Sequence, residues 1–193
     1  DRLSALTAAV QAEGLDPSPP EAIQADVTAW RFDEALTALD DAEADLQLYL
    51  AQKGRLASLR EAVQTASLPF PHTIDEAITA WQFSSLEQTL NDAEAALAAY
   101  SHAREKVDQP RNLWQRFGLW GRDPEAPLSQ AATAFATGDF LDTIAYSDDA
   151  YEMIDGAGTA ALTRLLIPLA VLAALAAVVV AVYWLWRRRR RFA

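Results

Sequence analysis

Few side chains in this sequence have the types and spacing that catalysis or metal binding requires. The chain has no cysteine, which excludes thiol catalysis, disulfides and cysteine-ligated metals. His72 and His102 are its two histidines, and neither belongs to a His-x-x-x-His or His-Glu-x-x-His pattern. Gly-x-Ser-x-Gly turns and glycine-rich phosphate loops are also missing. We therefore expect that the chain is not an enzyme and holds no metal and no cofactor.

The acidic side chains are the next candidates, because carboxylates are the usual ligands of calcium. An EF-hand calcium loop needs alternating ligands, a central glycine and a terminal glutamate, and neither acidic cluster of this chain has that pattern. We therefore interpret both clusters as solvated helix faces. The clusters are Asp40, Asp41, Glu43 and Asp45, and Asp148, Asp149, Glu152 and Asp155.

A basic and aromatic strip, residues 109–120, interrupts this acidic chain. Such a strip can lie on lipid head groups or dock a partner protein. The alternative is a loop folded over the apolar end of a helical pair, since tryptophan is usually buried somewhere. The candidate interaction residues are Arg111, Trp114, Arg116, Phe117 and Trp120.

The C-terminal part of the chain has the pattern of a membrane anchor. From Leu165 to Trp186 there are 22 residues without a charged side chain. As a helix they extend about 33 Å, which suffices for a hydrocarbon core of about 30 Å. Basic residues mark the cytoplasmic end of a span, so we expect a single-pass plasma-membrane protein with an extracytoplasmic N-terminal domain and a cytoplasmic C-terminus. The basic residues are Arg187, Arg188, Arg189, Arg190 and Arg191.

The span has no ionisable residue between its flanking arginines, so a single copy does not form an ion or proton path. Small residues recur along it at a spacing that permits close approach of a second helix. Alanine that only faces lipid is the alternative to such a helix–helix oligomer. The small residues are Ala170, Ala173, Ala174, Ala177 and Ala181.

Charge separates the two parts of the molecule. Residues 1–164 carry 11 basic and all 27 acidic side chains, a net charge of −16. Such a surface repels phosphate backbones, so we expect no nucleic-acid partner. The expected partners are the lipid bilayer and one or more proteins, or an upstream portion of the same polypeptide.

The part before the span repeats its own sequence. Residues 22–32 match residues 73–83 at an offset of 51, and both contain Thr-Ala-Trp-x-Phe. A degenerate third copy covers residues 135–150. Apolar residues recur at helical spacing before each turn, so each copy predicts a short helix, a tight turn and a longer helix.

The paired aromatic residues of the turns lie on the apolar stripe, so we expect them in the core. A ligand-stacking platform is the alternative. Helix starts are predicted where Ser or Thr precedes Glu by three residues, because such a capping box satisfies free amide groups. The aromatic residues are Trp30, Phe32, Trp81 and Phe83, and the capping boxes are Ser18/Glu21, Thr73/Glu76 and Ser84/Glu87.

The N-terminal residues resemble the end of a further unit. Residues 2–10 resemble residues 55–63, which are expected to continue the long helix of the first full unit. By that analogy residues 1–13 finish the long helix of a preceding unit. A repeat unit cannot bury its apolar face alone, so we expect the chain to be the C-terminal piece of a longer protein.

The Gly138-Asp139-Phe140 turn, with residues 30–32 and 81–83 as variants, resembles the turn of tetratricopeptide-type helical hairpins. The offset of 51 in this chain differs from that family's period of about 34 residues. Residues 118–125, followed by an Ala-Phe-x-x-Gly-Asp-Phe segment, resemble the membrane-proximal helical stalks of bacterial surface proteins. These resemblances imply a helical architecture in a bacterial cell envelope and no particular activity.

The predicted fold class is all-α, with tandem short-helix/long-helix hairpin repeats followed by one C-terminal transmembrane helix. No segment alternates with a period of two, so no sheet is expected. The predicted divisions are repeat 1 with the end of a preceding unit at 1–68, repeat 2 at 69–108, an aromatic/basic connecting loop at 109–125, a degenerate repeat 3 at 126–158, the transmembrane helix with a short lead-in at 159–186 and an Arg-rich cytoplasmic tail at 187–193.

This organisation predicts a non-catalytic, membrane-anchored scaffold or stalk that mediates protein–protein interaction outside the cytoplasm. An accessory single-pass subunit of a membrane protein complex is the first alternative. The second is the C-terminal anchor of an envelope enzyme whose catalytic domain lies outside this sequence.

Overall fold

The computed structural model describes the backbone of residues 1–189 and the side chains of residues 1–180. Over this part of the chain the fold is all-helical and contains no strand, as the sequence predicts. The helices are α1 (Arg2–Glu13), α2 (Ser18–Thr28), α3 (Phe32–Thr65), α4 (His72–Thr79), α5 (Leu86–Asp108), α6 (Leu113–Gly118), α7 (Glu125–Thr137), α8 (Phe140–Asp155) and α9 (Ala157–Arg189).

The longer helices pack in chain order around one apolar core. Helix α3 contacts α5, and α5 contacts both α7 and α8, while the shorter helices α2 and α4 pack on α3 and α5. Core positions recur every three or four residues, which gives each helix one apolar stripe. Along α3 and α5 the buried residues include Leu39, Leu46, Tyr49, Leu56, Leu59, Val63, Leu86, Leu90, Leu97 and Val107.

Three turns of the chain share one backbone conformation. Trp30, Trp81 and Gly138 have φ angles of 61°, 54° and 86°. This left-handed region suits glycine and is uncommon for a bulky residue. In each turn the next N–H donates to a carbonyl five residues earlier, which satisfies the C-terminus of α2, α4 and α7 as in a Schellman cap. The bonds are Arg31 to Asp26 at 3.0 Å, Gln82 to Ala77 at 2.8 Å and Asp139 to Ala134 at 2.8 Å.

The expectation that all four turn aromatics lie in the core is wrong for the first turn. Phe83 is 2% exposed and Trp81 is half-buried, but Trp30 is 81% exposed and Phe32 is 50% exposed. The apolar stripe is the same in both copies. The difference follows from what covers each turn, because Phe83 packs against Tyr49 of the preceding long helix.

The three predicted capping boxes are also wrong. Helices α2 and α4 have Pro17 and Pro71 at the N-cap, and α5 has Ser85 there, without a side-chain cap bond. Proline fixes φ and lacks an N–H, so it can begin a helix without a capping side chain. The capping box in the structure opens α6, where Asn112 and Gln115 bond each other's backbone N–H.

Candidate membrane-proximal site

Helix α9 is the part of the described chain that is long and apolar enough to cross a membrane. Its candidate span is Ala157–Val180, 24 residues, and the helix continues to Arg189. From Leu165 to Val180 its side chains are exposed, as expected of a surface that faces lipid and not a protein core.

The predicted packing residues lie on this exposed surface. Ala170, Ala173, Ala174 and Ala177 are all exposed, so the small-residue ridge is uncovered within residues 1–180. Pro168 lies inside the helix without ending it. For the other residues of the membrane-helix and topology predictions, the structure describes only the backbone or nothing at all. The side chains of Ala181, Arg187, Arg188 and Arg189, and all of Arg190 and Arg191, lie outside the described residues.

The basic and aromatic strip is not a plain loop, because it contains helix α6, which packs on the first two turns of α9. The contact is tight at Gly118. A Cβ added there would lie 1.7 Å from the carbonyl oxygen of Ala157. Ala157 and Ala161, in the first two turns of α9, are both buried. Small residues on both helices therefore let the two backbones approach closely.

Arg164 joins the two helices by hydrogen bonds. Its guanidinium donates to the carbonyl oxygens of Phe117 at 3.2 Å and Trp120 at 2.8 Å. These carbonyls lie at the C-terminal end of α6, where free acceptors and the helix dipole favour a cation. Arg164 is thus a structural residue that sequence reasoning interpreted only as the border of the span.

The strip residues divide into two groups. Arg111 faces the helical domain, since its guanidinium donates to the Val107 carbonyl oxygen at 3.1 Å, at the end of α5. Phe117 is half-buried and meets the Trp120 ring edge-on, with centroids 6.1 Å apart. Arg116 is exposed, and Trp114 and Trp120 are 54% and 74% exposed. The structure therefore brings two tryptophans to the surface beside the base of α9.

The predicted acidic faces take part in pairing between helices. Arg2 donates to Asp40 at 2.6 Å and to Glu43 at 2.7 Å. These hydrogen bonds, Glu43 first, raise the pKa of Arg2 above its ordinary value. In the second cluster, Asp155 pairs with Lys106 at 3.3 Å. Each cluster thus neutralises a cation on a neighbouring helix.

The histidines have structural surroundings. His102 stacks on Tyr151, with ring centroids 4.8 Å apart, and His72 begins α4. Among the described residues no three His, Asp or Glu side chains are grouped so that they could hold a metal ion. The exposed span and the α6–α9 contact are the features on which a membrane-proximal function can be based.

No protein-family model, no curated protein and no solved structure matches this chain. The likeness to tetratricopeptide hairpins therefore stays a prediction that depends on the turn residues, and the likeness to bacterial stalks stays one that depends on residues 118–125 and the segment after them. A function has to follow from the geometry of the molecule itself.

Proposed function

We propose that this chain is a non-catalytic scaffold or stalk, anchored in the plasma membrane by α9, whose helical-repeat domain lies outside the cytoplasm and mediates protein–protein interaction. The observation that carries the proposal is the contact between α6 and α9. A flexible tether would need no such contact. Here Gly118 packs on Ala157, and Arg164 bonds to the end of α6. The contact supports a domain held in one orientation at the membrane.

The repeat architecture is supported by equivalent contacts between successive units. Arg2 of α1 pairs with Glu43 of α3 at 2.7 Å, and Arg55 of α3 pairs with Glu94 of α5 at 2.8 Å. The next cation in the series, Lys106 of α5, lies over the Tyr151 ring of α8 at 5.1 Å. Two Arg–Glu pairs at equivalent places on successive long helices, and a third cation that contacts the next long helix through a tyrosine ring, favour tandem hairpins that stack in sequence.

The ends of α1 and α3 support the same equivalence. Gly14 and Ser67, which follow these helices, have φ angles of 67° and 57°. In each case the next N–H donates to a carbonyl five residues earlier, from Leu15 to Val10 at 3.1 Å and from Leu68 to Val63 at 3.0 Å. Helix α1 is accordingly the counterpart of the second half of α3.

The depth of α6 follows from the length of helix between its contacts and the span. Seven residues separate Ala157 from Arg164, which is about 10 Å along a helix. A head-group layer is about 5–7 Å thick on each side of the hydrocarbon core. With the hydrocarbon core beginning at Leu165, α6 lies in or just outside the head groups. Exposed tryptophan is typical of that layer, which accounts for Trp114 and Trp120.

The orientation is tested with protease added to intact cells, to spheroplasts and to lysed membranes. We expect the helical domain to be cut in spheroplasts while a tag placed after Ala193 survives until lysis. Basic residues beyond the span favour this direction. Protection of the helical domain in spheroplasts would overturn the proposed topology.

The rigid contact is tested by Gly118→Ala in nanodiscs, with Gly158→Ala as the matched control. The Gly118 variant places a methyl group against the Ala157 backbone, whereas a Cβ at Gly158 meets nothing within 4 Å. We expect faster cleavage within residues 109–125 in the first variant and no change in the second. Equal cleavage in both would remove the support that α6 gives to a fixed orientation.

A second candidate function, an accessory subunit of a membrane protein complex, is favoured by the exposed tryptophans and the uncovered alanine ridge. Its test is co-purification with integral membrane proteins after mild detergent extraction. We expect Trp114→Ala with Trp120→Ala to reduce it, and Leu141→Ala, an exposed residue on α8, to leave it unchanged. A chain that purifies alone and monomeric would contradict this candidate.

A further inference from the structure

The first turn of the molecule presents an apolar patch at the junction of α2 and α3. Trp30, Phe32, Leu36 and Val27 are all exposed, and the Trp30 and Phe32 rings meet edge-on with centroids 5.7 Å apart. Four large apolar side chains exposed within ten residues of the chain are a candidate interaction surface. The patch, here called the first-turn face, lies where α2 and α3 join, and α1 contacts both of these helices.

The second turn shows what covers the same residues elsewhere in this chain. The indole Nε1–H of Trp81 donates to the Asp16 carbonyl oxygen at 3.1 Å, in the loop before α2. The Phe83 ring packs against Tyr49 of α3, with centroids 5.3 Å apart. The second turn is therefore covered by two parts of the preceding unit, namely a loop carbonyl and a tyrosine of the long helix.

The third turn has the same relation to the second unit. A Cβ at Gly138 would lie 2.2 Å from the side-chain oxygen of Thr73, at the start of α4. Asp16 lies two residues before α2 and Thr73 is the second residue of α4, so both turns lie beside the start of the short helix of the unit before. The second and third turns are thus each in contact with the unit before them.

The position of a unit that would cover the first turn can be derived from the equivalence of α1 and α3. Helix α1 is the counterpart of the second half of α3, and Arg2 corresponds to Arg55 in its carboxylate contacts. Tyr49 lies six residues before Arg55. Its counterpart would lie six residues before Arg2, on a helix continuous with α1, where it would face Phe32 as Tyr49 faces Phe83.

We infer that the first-turn face is a docking surface for a further helical unit of the same type, whose long helix continues into α1. The occupant carries an aromatic residue at the position of Tyr49 and a free loop carbonyl at the position of Asp16. The inference rests on the tandem-repeat part of the proposed function. A second copy of this chain does not supply these groups, because its own Tyr49 and Asp16 are engaged by Phe83 and Trp81.

The test adds a copy of residues 1–53 directly before Asp1 of the full chain. The α3 segment of the copy then runs into α1 as residues 32–53 run into 54–65 in the chain itself. The emission of the native Trp30 is isolated by subtracting the spectrum of the same fusion with Trp30→Phe at that position. We expect it to shift to shorter wavelength and to lose most of its acrylamide quenching, relative to the unfused chain.

The matched control is the fusion with Tyr49→Ala in the added copy, which should restore part of the quenching of the native Trp30. Equal quenching in fused and unfused chains would overturn the inference. So would an added copy that gains no helical circular dichroism, because the face then fails to order the unit it is proposed to receive. The quenching of Trp30 does not depend on the topology of the protein. If Trp30 stays exposed while the protease pattern is as proposed, only the docking inference is rejected. If Trp30 becomes buried while the topology is reversed, only the proposed orientation is rejected.

Discussion

The first and second aromatic turns have nearly the same sequence and backbone but different surroundings. Both contain Thr-Ala-Trp-x-Phe, and Trp30 and Trp81 have φ angles within ten degrees of each other, at 61° and 54°. Yet Phe83 is buried, and Trp81 bonds to Asp16, while Trp30 and Phe32 are exposed. Local sequence therefore determines the shape of the turn, and the neighbouring segments of the chain determine whether its side chains are buried.

The difference has an energetic consequence. A bulky residue in the left-handed region costs roughly 1–2 kcal/mol in either turn. At Trp81 this cost is offset by a hydrogen bond and by packing against Phe83. At Trp30 the ring meets Phe32 and is otherwise largely solvated. The first turn therefore keeps a strained tryptophan with little compensation from the described residues.

The largest expected effect comes from truncating the two phenylalanines. Phe83→Ala removes a fully buried ring and leaves a cavity beside Tyr49, so we expect a loss of about 3–5 kcal/mol in the free energy of unfolding. Phe32→Ala removes a half-exposed ring, and we expect a loss below about 1 kcal/mol. Chemical denaturation of the purified chain in detergent measures both. Similar losses would contradict the claim that burial separates the turns.

The comparison also shows how far the sequence could predict this fold. The all-helical class and the turn positions follow from apolar spacing and from the repeated Trp-x-Phe. The exposure of Trp30 could not be predicted from the sequence. An apolar stripe shows that a helix face is suited to burial, but it does not show whether another part of the protein covers that face. The capping boxes failed for a local reason: Pro17 and Pro71 occupy the N-cap positions where a hydroxyl was expected.

The membrane-proximal site was predicted only in part. The sequence identified the strip as a candidate surface but left open whether its tryptophans are exposed or folded over a helical pair. The role of Arg164 could not be predicted, since its partners are backbone carbonyls 44 and 47 residues earlier in the chain. The pairing of Gly118 with Ala157 could have been suspected from their small size, but only the fold brings them together.

The third turn has glycine where the first two have tryptophan. Gly138→Ala adds both left-handed strain and a clash with Thr73, so we expect a loss of about 2–4 kcal/mol. Gly14→Ala, at φ 67° with nothing within 4 Å of the new Cβ, adds the strain alone, about 1 kcal/mol. The excess measured at Gly138 by denaturation reports contact between units. Equal losses would mean that the third turn is not packed against α4.

Replacing each turn tryptophan by glycine should change stability in opposite directions at the two turns. Trp81→Gly relieves strain but removes the bond to Asp16 and the ring packing, so we expect a net loss of about 2 kcal/mol. Trp30→Gly relieves the same strain and removes little packing, so stability should stay equal or rise by up to about 1 kcal/mol. Thermal unfolding of the two variants side by side gives the sign. A clear loss at Trp30 would show that its ring is held more firmly than its exposure indicates.

The smallest expected effect concerns the ion pairs of Arg2 and Arg55, whose removal should change stability by similar amounts. Arg2 and Arg55 each bond to carboxylates of the next long helix, and these bonds raise the pKa of both guanidinium groups. A cation whose pKa is raised on folding stabilises the fold at every pH below its unfolded value, hence throughout the neutral range. Arg2→Gln and Arg55→Gln should therefore cause small and similar losses of stability. Both losses should shrink in molar salt, because exposed ion pairs are screened there. A salt-resistant loss at Arg55 alone would show that Arg55 holds α3 to α5 by more than the kind of ion pair that joins α1 to α3.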